Sequence, residues 1–543
     1  MEFCPLNVRM HGVTGVWIKP YSGSRCLERS SHLSGVRLSA AQVRLVYRSI
    51  ASLFINPHYF ALPGFNLTKD LMPESLNDSR RDFLKAAAAL PAVAAAPWAR
   101  AQGSTTSPTS ETTASTGPDI APVDRVFITN EDSNTISVIN PASNTVDTTI
   151  NLTSFDEDAR PPFRFVTGGV MPTHAAMIHK PLYHGCIDAH GAVPNPDGTL
   201  LATSGRGSSN IYLIDVVNRR VVGNAANPQA GPTTNPERLS SGLLLGREPH
   251  EPTFTRNGKE LWVTLRGEDR IAILDVTQAQ RQLTGSGAGS STAVRAHVST
   301  LNGPAQVWFS KDGLLAFVIS QKLAQLEILQ VNPDANGYSR PKRLRLIDLS
   351  AQDKPAFTPF QKLTPDGRQM WLSHKLADAV SIVSITDPGT VLATIALGDM
   401  ARPNHLEFVD NARGQVTYMS LARVDDGGPN GAASSRLAII DRSVPQAQQK
   451  VVGLVYTGGR EAHGLWTNPA NNLLYVAHEQ DELPGTPNAG QVVCSAFDVS
   501  SPLQPKLITQ IPLGALKLPS GELRNKKSIN LVYVRPGTKG QTA

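Results

Sequence analysis

Four histidines stand at matching places in this chain. His190 lies eight residues before the turn glycine Gly198 and His250 eight before Gly258; His463 lies eight before Asn471 and His405 nine before Gly414. In each case a short strand runs from the histidine into a Pro-Asp-Gly-type turn and returns as a second strand. Antiparallel partners reverse direction, so the start of the first strand and the end of the second reach the same face. Aligned on the turns that follow them, the second strands end in Asn130, Arg206, Arg266, Gln321, His374, Leu421 and His478. One rim is therefore expected to carry His190, His250, His405 and His463 together with Arg206, Arg266, His374 and His478. The remaining repeats place Ala305, Pro359 and Ile529 at the histidine position, with Gln306 and Asn530 one step on.

Two chemistries suit such a rim. Converging neutral imidazoles bind a borderline or soft metal, copper or zinc. Histidines beside two arginines suit a carboxylate-bearing ligand, which a guanidinium holds through paired hydrogen bonds. The long connection at 153–187 runs into His190 and adds Met171, His174, Met177, His179, His184 and Cys186. His174, His179 and His184 are further candidate metal ligands, since thioether, imidazole and thiol together suit copper; the alternative is a covering loop whose methionines pack on the core. A second long connection, 224–245, reads as another lid. Glu248 and Glu251 flank His250, and Glu461 lies two before His463; a carboxylate there orients an imidazole or acts as a base. Serine-hydrolase, zinc-protease, phosphate-loop and dinucleotide-binding motifs are absent from the sequence. Asp215, Asp275 and Asp441, which end the third strands, read as structural turn residues.

The elements that must position this rim repeat along the chain. VDRVFITNEDSNTISVINPASNTVDTTINL at 123–152 alternates apolar and polar residues between polar turns, and the pattern recurs at 258–277, 313–329, 367–398, 414–443 and 471–500. A spacing of roughly 40–60 residues indicates a propeller or array. Charged residues at 18% and aromatics at 6%, with 43 Gly and 40 Pro in 543 residues, favour short strands and turns over long helices. Phe127-Ile128-Thr129-Asn130, NTISVIN, TVLATIALG and the PDG turns at 196–198 and 365–367 resemble the YVTN-type β-propeller family over residues 123–537. The resemblance implies an all-β, seven-bladed β-propeller. Its first blade lacks an innermost strand, and KSINLVYV at 527–534 is the spare that would close the ring. In plan, the histidine-lined rim is similar to the copper-binding propeller of nitrous oxide reductase and to haem d1 propellers, where an axial histidine holds iron. A CxxCH for covalent haem is absent from the sequence.

Targeting is written inside the chain. Ser79-Arg80-Arg81-Asp82-Phe83-Leu84-Lys85, an Ala-rich apolar run and Ala99-Arg100-Ala101 form a twin-arginine signal at 72–101 with a small-x-small cleavage site. Its position implies translation from Met72, an over-extended N-terminus at 1–71, a mature chain from about Gln102, and a disordered Ser/Thr/Pro linker at 102–122. An oxidising periplasm permits a disulfide between the two remaining cysteines, Cys186 and Cys494. The net charge of +6 is too modest to indicate nucleic-acid binding, and the apolar run is too short to span a membrane. The expectation is thus a monomeric periplasmic propeller whose mouth binds a metal or metallo-cofactor, copper or a haem d1-like group, for redox chemistry. Two alternatives stay open: a scaffold that docks a partner protein or a small anionic ligand, and a hydrolase or lyase acting on an anionic substrate such as a lactone.

Overall fold

The computed structural model describes residues 119–152, 187–223, 242–285, 292–349, 357–518 and 521–540. The chain divides into two compact units, 1–111 and 112–543, and every described residue belongs to the second. The N-terminal prefix, the export signal, most of the linker, the candidate ligands His174, His179 and His184, Cys186 and residues 224–241 lie outside the described set.

Seven blades of antiparallel strands form the second unit. Counted from the N-terminus, the innermost strands of blades 2 to 7 are Ala189–Pro194, Pro249–Phe254, Pro304–Phe309, Gln361–Leu363, Pro403–Asn411 and Arg460–Thr467. Blade 1 takes its own innermost strand from the far end of the chain. Ser528–Val534 pairs with Arg125–Asn130 in the register Val126↔Tyr533, Phe127↔Val532 and Ile128↔Leu531. The closure expected from the spare C-terminal strand is therefore present.

Strand alternation explains how the ring coheres. Successive side chains point to opposite faces of a strand, so every blade is apolar on both faces and packs against two neighbours. Seven buried apolar clusters result, one between each adjacent pair of blades. Trp262 and Phe309 join blades 3 and 4, Trp371 and Phe408 join blades 5 and 6, and Tyr475 and Tyr533 join blades 7 and 1. Seven interfaces among seven blades leave no face without a partner.

Local departures from the repeat are small. Leu243–Leu244, at the end of the expected second lid, pairs instead with Asn210–Asp215 of blade 2. One helix, Val276–Thr284, follows blade 3's third strand; Asp275 caps it by accepting from Gln278 N at 2.8 Å. Asp215 and Asp441 likewise accept backbone N–H groups in their turns, from Asn218 and Ser443. Cys494 is a free, buried thiol in blade 7.

Candidate functional site

The histidines are aimed by a repeated bulge. In blade 3, Pro249 pairs with Leu265 and Pro252 with Val263, so His250 and Glu251 together face Thr264 alone. Blades 1, 2, 6 and 7 break register in the same way, opposing Ile529-Asn530 to Thr129, His190-Gly191 to Ser204, Asn404-His405 to Ser420, and His463-Gly464 to Ala477. A bulge bends the strand and redirects one side chain, here toward the axis.

In blades 1, 2, 3 and 6 a single hydroxyl holds the bulge; blade 7 has Ala477 at that place. Ser204 Oγ accepts from Gly191 N at 2.9 Å and donates to the His250 carbonyl of the next blade at 2.7 Å. Thr129 does the same between Asn530 N and the His190 carbonyl, Thr264 between Glu251 N and the Ala305 carbonyl, and Ser420 between His405 N and the His463 carbonyl. Freed ladder groups are thus satisfied, and each of these four blades registers the next.

This arrangement corrects the sequence alignment in two respects. His405 occupies the second bulge position, and Asn404 takes the place that histidine holds in blades 2, 3 and 7. The added length of blade 6 lies beyond the bulge, where the hairpin 406–419 is two residues longer than 252–263 of blade 3. On the second strands, Arg206, Arg266 and Gln321 line the axial cavity, but in blades 1, 5 and 7 that place falls to Glu131, Lys375 and Glu479, one step beyond the aligned residue, and Leu421 is not part of the lining. Strand alternation then turns His374 and His478 into their own blades. His374 bonds Thr358 Oγ1 through Nδ1 at 3.0 Å and Ser381 Oγ through Nε2 at 2.8 Å. His478 Nδ1 donates to the Val493 carbonyl at 2.9 Å. Neither lines the mouth. Gln306 is also drawn inside, where its Oε1 accepts from Gln361 N.

What converges at the axis is a mixed acid–base cluster. His190, Arg206, His250, Arg266, His405 and His463 surround a cavity of about 150 Å³, joined by Glu131, Glu251, Lys375, Glu479, Lys527 and Asn530. Glu131 is ion-paired to Arg206 and, at 2.5 Å, to Lys527, and lies 3.7 Å from His190 Nδ1. Burial alone would raise its pKa, but these neighbours hold its carboxyl well below the usual range. Arg266 bonds Glu248 at 3.1 Å and Gln321 Oε1 at 2.5 Å. Glu461, by contrast, faces Arg402 and Gln480.

The imidazoles are neutral and partly fixed in tautomer. Burial pushes His190 down to about 4, with the Arg206 charge adding to it. Burial also holds His250, His405 and His463 well below the ordinary histidine value. His250 Nδ1 lies 2.8 Å from the Ala305 carbonyl, which can only accept, so Nδ1 carries the proton and Nε2 presents a lone pair. Gln321 Nε2 donates to that lone pair at 3.0 Å, and His190 Nε2 faces it at 3.1 Å. His405 stacks on Phe360 at 3.9 Å between ring centres. His463 Nε2 lies 3.7 Å from Glu479, whose carboxyl is raised to about 7 by burial and by nearby Glu461. Glu251 is raised further, to about 8, by burial against a single opposing hydrogen bond from Asn530.

These residues fit a metal or a haem poorly. Among the described residues, no group of three or more His, Cys, Asp or Glu side chains is arranged to hold a metal ion. The facing His190 and His250 nitrogens supply two ligands, and the Arg206 and Arg266 charges that depress both imidazoles would equally repel a dication. The cavity of about 150 Å³ is also too small to enclose a haem.

Comparison with known proteins adds the following. A family model described as a seven-bladed β-propeller lactonase matches residues 189–408, which include His190, Arg206, His250, Arg266 and His405. A second model, for twin-arginine translocation signal sequences, matches residues 79–97, and the chain is exported by that route to the periplasm. No curated protein sequence matches. Solved structures with a similar fold include a putative 6-phosphogluconolactonase from Bacteroides fragilis, at 12% identity and TM-score 0.48, covering 77% of this chain and 100% of that one. The periplasmic gluconolactonase PpgL of Pseudomonas aeruginosa aligns at 14% identity and TM-score 0.45, over 76% of this chain and 99% of its own. The dihydro-heme d1 dehydrogenase NirN in complex with DHE aligns at 12% identity and TM-score 0.42, over 93% of each chain. No helix among the described residues is long and apolar enough to cross a membrane.

Proposed function

We propose that the axial mouth binds a small anionic lactone and opens it by general-base hydrolysis. The observation that carries this reading is the presence, in one cavity of about 150 Å³, of two guanidinium groups beside imidazoles kept unprotonated at neutral pH. A neutral imidazole accepts a proton from water, and a partly desolvated guanidinium holds an anionic substituent through paired bonds. The lactonase family model over 189–408 supports the same reading.

Roles follow from how each side chain is already committed. His250 has both ring nitrogens engaged and serves to position His190 and Gln321. His463, beside Glu479, takes the proton of the attacking water. The water oxygen bonds to the lactone carbonyl carbon, the ring C–O bond breaks, and the departing ring oxygen takes a proton, giving the hydroxy acid. Arg206 and Arg266 hold the substrate's anionic group.

The test is hydrolysis of a panel of small carboxylate-bearing lactones, with neutral aldonolactones as controls, followed by proton release. Arg206→Ala is expected to raise KM chiefly, and His463→Ala to lower kcat by about 10²–10⁴-fold. Hydrolysis no faster than in buffer, with no calorimetric binding of the products, would overturn the proposal. Copper taken up stoichiometrically through His190 and His250 would revive the metal-centred alternative.

A further inference from the structure

A second cavity opens on the opposite end of the hub, where the inner strands reach their turns. It holds about 310 Å³, roughly twice the mouth, and reaches the size range of small-molecule sites. Trp466 lines it. Its indole packs against the core between blades 1 and 2, the core between blades 7 and 1, and the core between blades 4 and 5. A side chain that touches three such separated interfaces lies across the axis.

Beneath the indole sits a buried ion pair. Lys362 Nζ lies 2.6 Å from Glu407 Oε2 and 3.5 Å from the centre of the Trp466 ring. One of its three N–H groups serves the carboxylate and a second meets the ring face, which leaves a third for the cavity. The other Glu407 oxygen accepts from Phe408 N. At the rim, Lys311 and Lys539 add two ammonium groups, so the lining carries three cations against one carboxylate. Asn471 adds an amide, and Thr467 and Thr538 add hydroxyls.

We propose that this turn-face cavity is a second ligand site, distinct from the mouth, for a small hydroxylated organic anion of sugar-acid size. The excess positive charge selects an anion. The mixture of amide, hydroxyl and indole around it suits a body carrying several hydroxyls on an apolar frame. The site stands independently of the reading of the mouth, since no residue is shared between the two cavities.

The experiment titrates D-gluconate, with D-glucose as the neutral control, into the full exported protein and into Arg206→Ala, whose mouth is impaired. Among the tryptophans of the described residues only Trp466 lines this cavity, so an emission change that is lost in Trp466→Phe reports binding there. Gluconate should alter that emission saturably in both proteins while glucose does not. Lys311→Gln with Lys539→Gln should weaken binding by roughly tenfold or more, as loss of about 1.4 kcal/mol requires. Trp466→Phe should abolish the optical signal and retain the calorimetric heat. Because removing one member of a buried pair destabilises the fold, folding of Arg206→Ala is checked by circular dichroism, and Lys362 is tested only as Lys362→Gln combined with Glu407→Gln, checked in the same way. Gluconate binding that survives the two rim substitutions but disappears in Arg206→Ala belongs to the mouth and overturns the proposal, as does the absence of saturable binding.

Discussion

Removing the closing strand is the most direct challenge to the architecture. Truncation after residue 525 deletes Ser528–Val534, whose Ile529, Leu531, Val532, Tyr533 and Val534 are at most 3% exposed. Burying such a side chain contributes about 1.5–3 kcal/mol, so five of them amount to about 7–15 kcal/mol before cooperativity. That equals the whole net stability of a typical domain, about 5–15 kcal/mol. The loss is compounded because the strand joins two interfaces: Val532 and Val534 belong to the core between blades 1 and 2, Leu531 and Tyr533 to the core between blades 7 and 1. It also exposes the edge of Arg125–Asn130 as a template for aggregation. Urea unfolding monitored by circular dichroism should show the truncated protein unfolded or aggregated where the full chain is native. A milder variant, Leu531→Ala, should cost about 2–5 kcal/mol with the fold retained. A truncated protein that kept the full chain's unfolding midpoint would refute closure by this strand.

Further expectations concern the hub. Gly464→Ala would place a Cβ 2.7 Å from Leu531 N and 2.8 Å from the Ile529 carbonyl, both backbone; overpacking of this kind should lower stability by about 1–3 kcal/mol, read from the urea midpoint. Ser420→Ala leaves His405 N and the His463 carbonyl without their shared partner; it should cost about 1–3 kcal/mol in the same measurement and lower activity at the mouth. Glu251 keeps its proton in the folded chain until about pH 8, against an ordinary value of 4.5, so the folded state binds the extra proton between these limits. Wild-type stability should therefore fall relative to Glu251→Gln as pH rises from about 4.5 to 8 and level off above. An unchanged gap between pH 5 and pH 8.5 would contradict this. His190 works in the opposite sense: its folded value near 4 makes its contribution fully present above about 6.5 and lost as pH falls toward 4, a loss that His190→Gln should remove.

The repeat and the ring were legible in the residues themselves. Alternating apolar strands at regular spacing, with turn glycines between them, leave little choice of architecture, and the spare C-terminal strand announces closure because blade 1 lacks a partner for Val126, Phe127 and Ile128. The position of most mouth residues was legible too, since counting from a turn is reliable along an unbroken strand. The count failed on the second strands, whose turns are of equal length: Asn130 and His374 are the last ladder residues, paired with Thr135 and Ala379, whereas Arg206 and Arg266 lie one step past theirs, Gly205 and Leu265. With a side-chain period of two, that one-residue offset exchanges the two faces, so Glu131, Lys375 and Glu479, not Asn130, His374 and His478, line the mouth. A local signal exists: Thr129, Ser204, Thr264 and Ser373 each stand two residues before a residue that lines the mouth. Reading Thr129, Ser204 and Thr264 as bulge clamps requires their bonds to the following blade, which Ser373 does not make.

Only the tertiary structure decided the chemistry of the mouth. Sequence alone determined which titratable residues lie near one end of the hub. Whether four histidines converge on a metal, or stand neutral among arginines, depends on distances and burial set by how seven separate blades close on one axis. Desolvation and neighbouring guanidinium charge, neither of which is local in sequence, depress the imidazoles and hold Glu131 ionised.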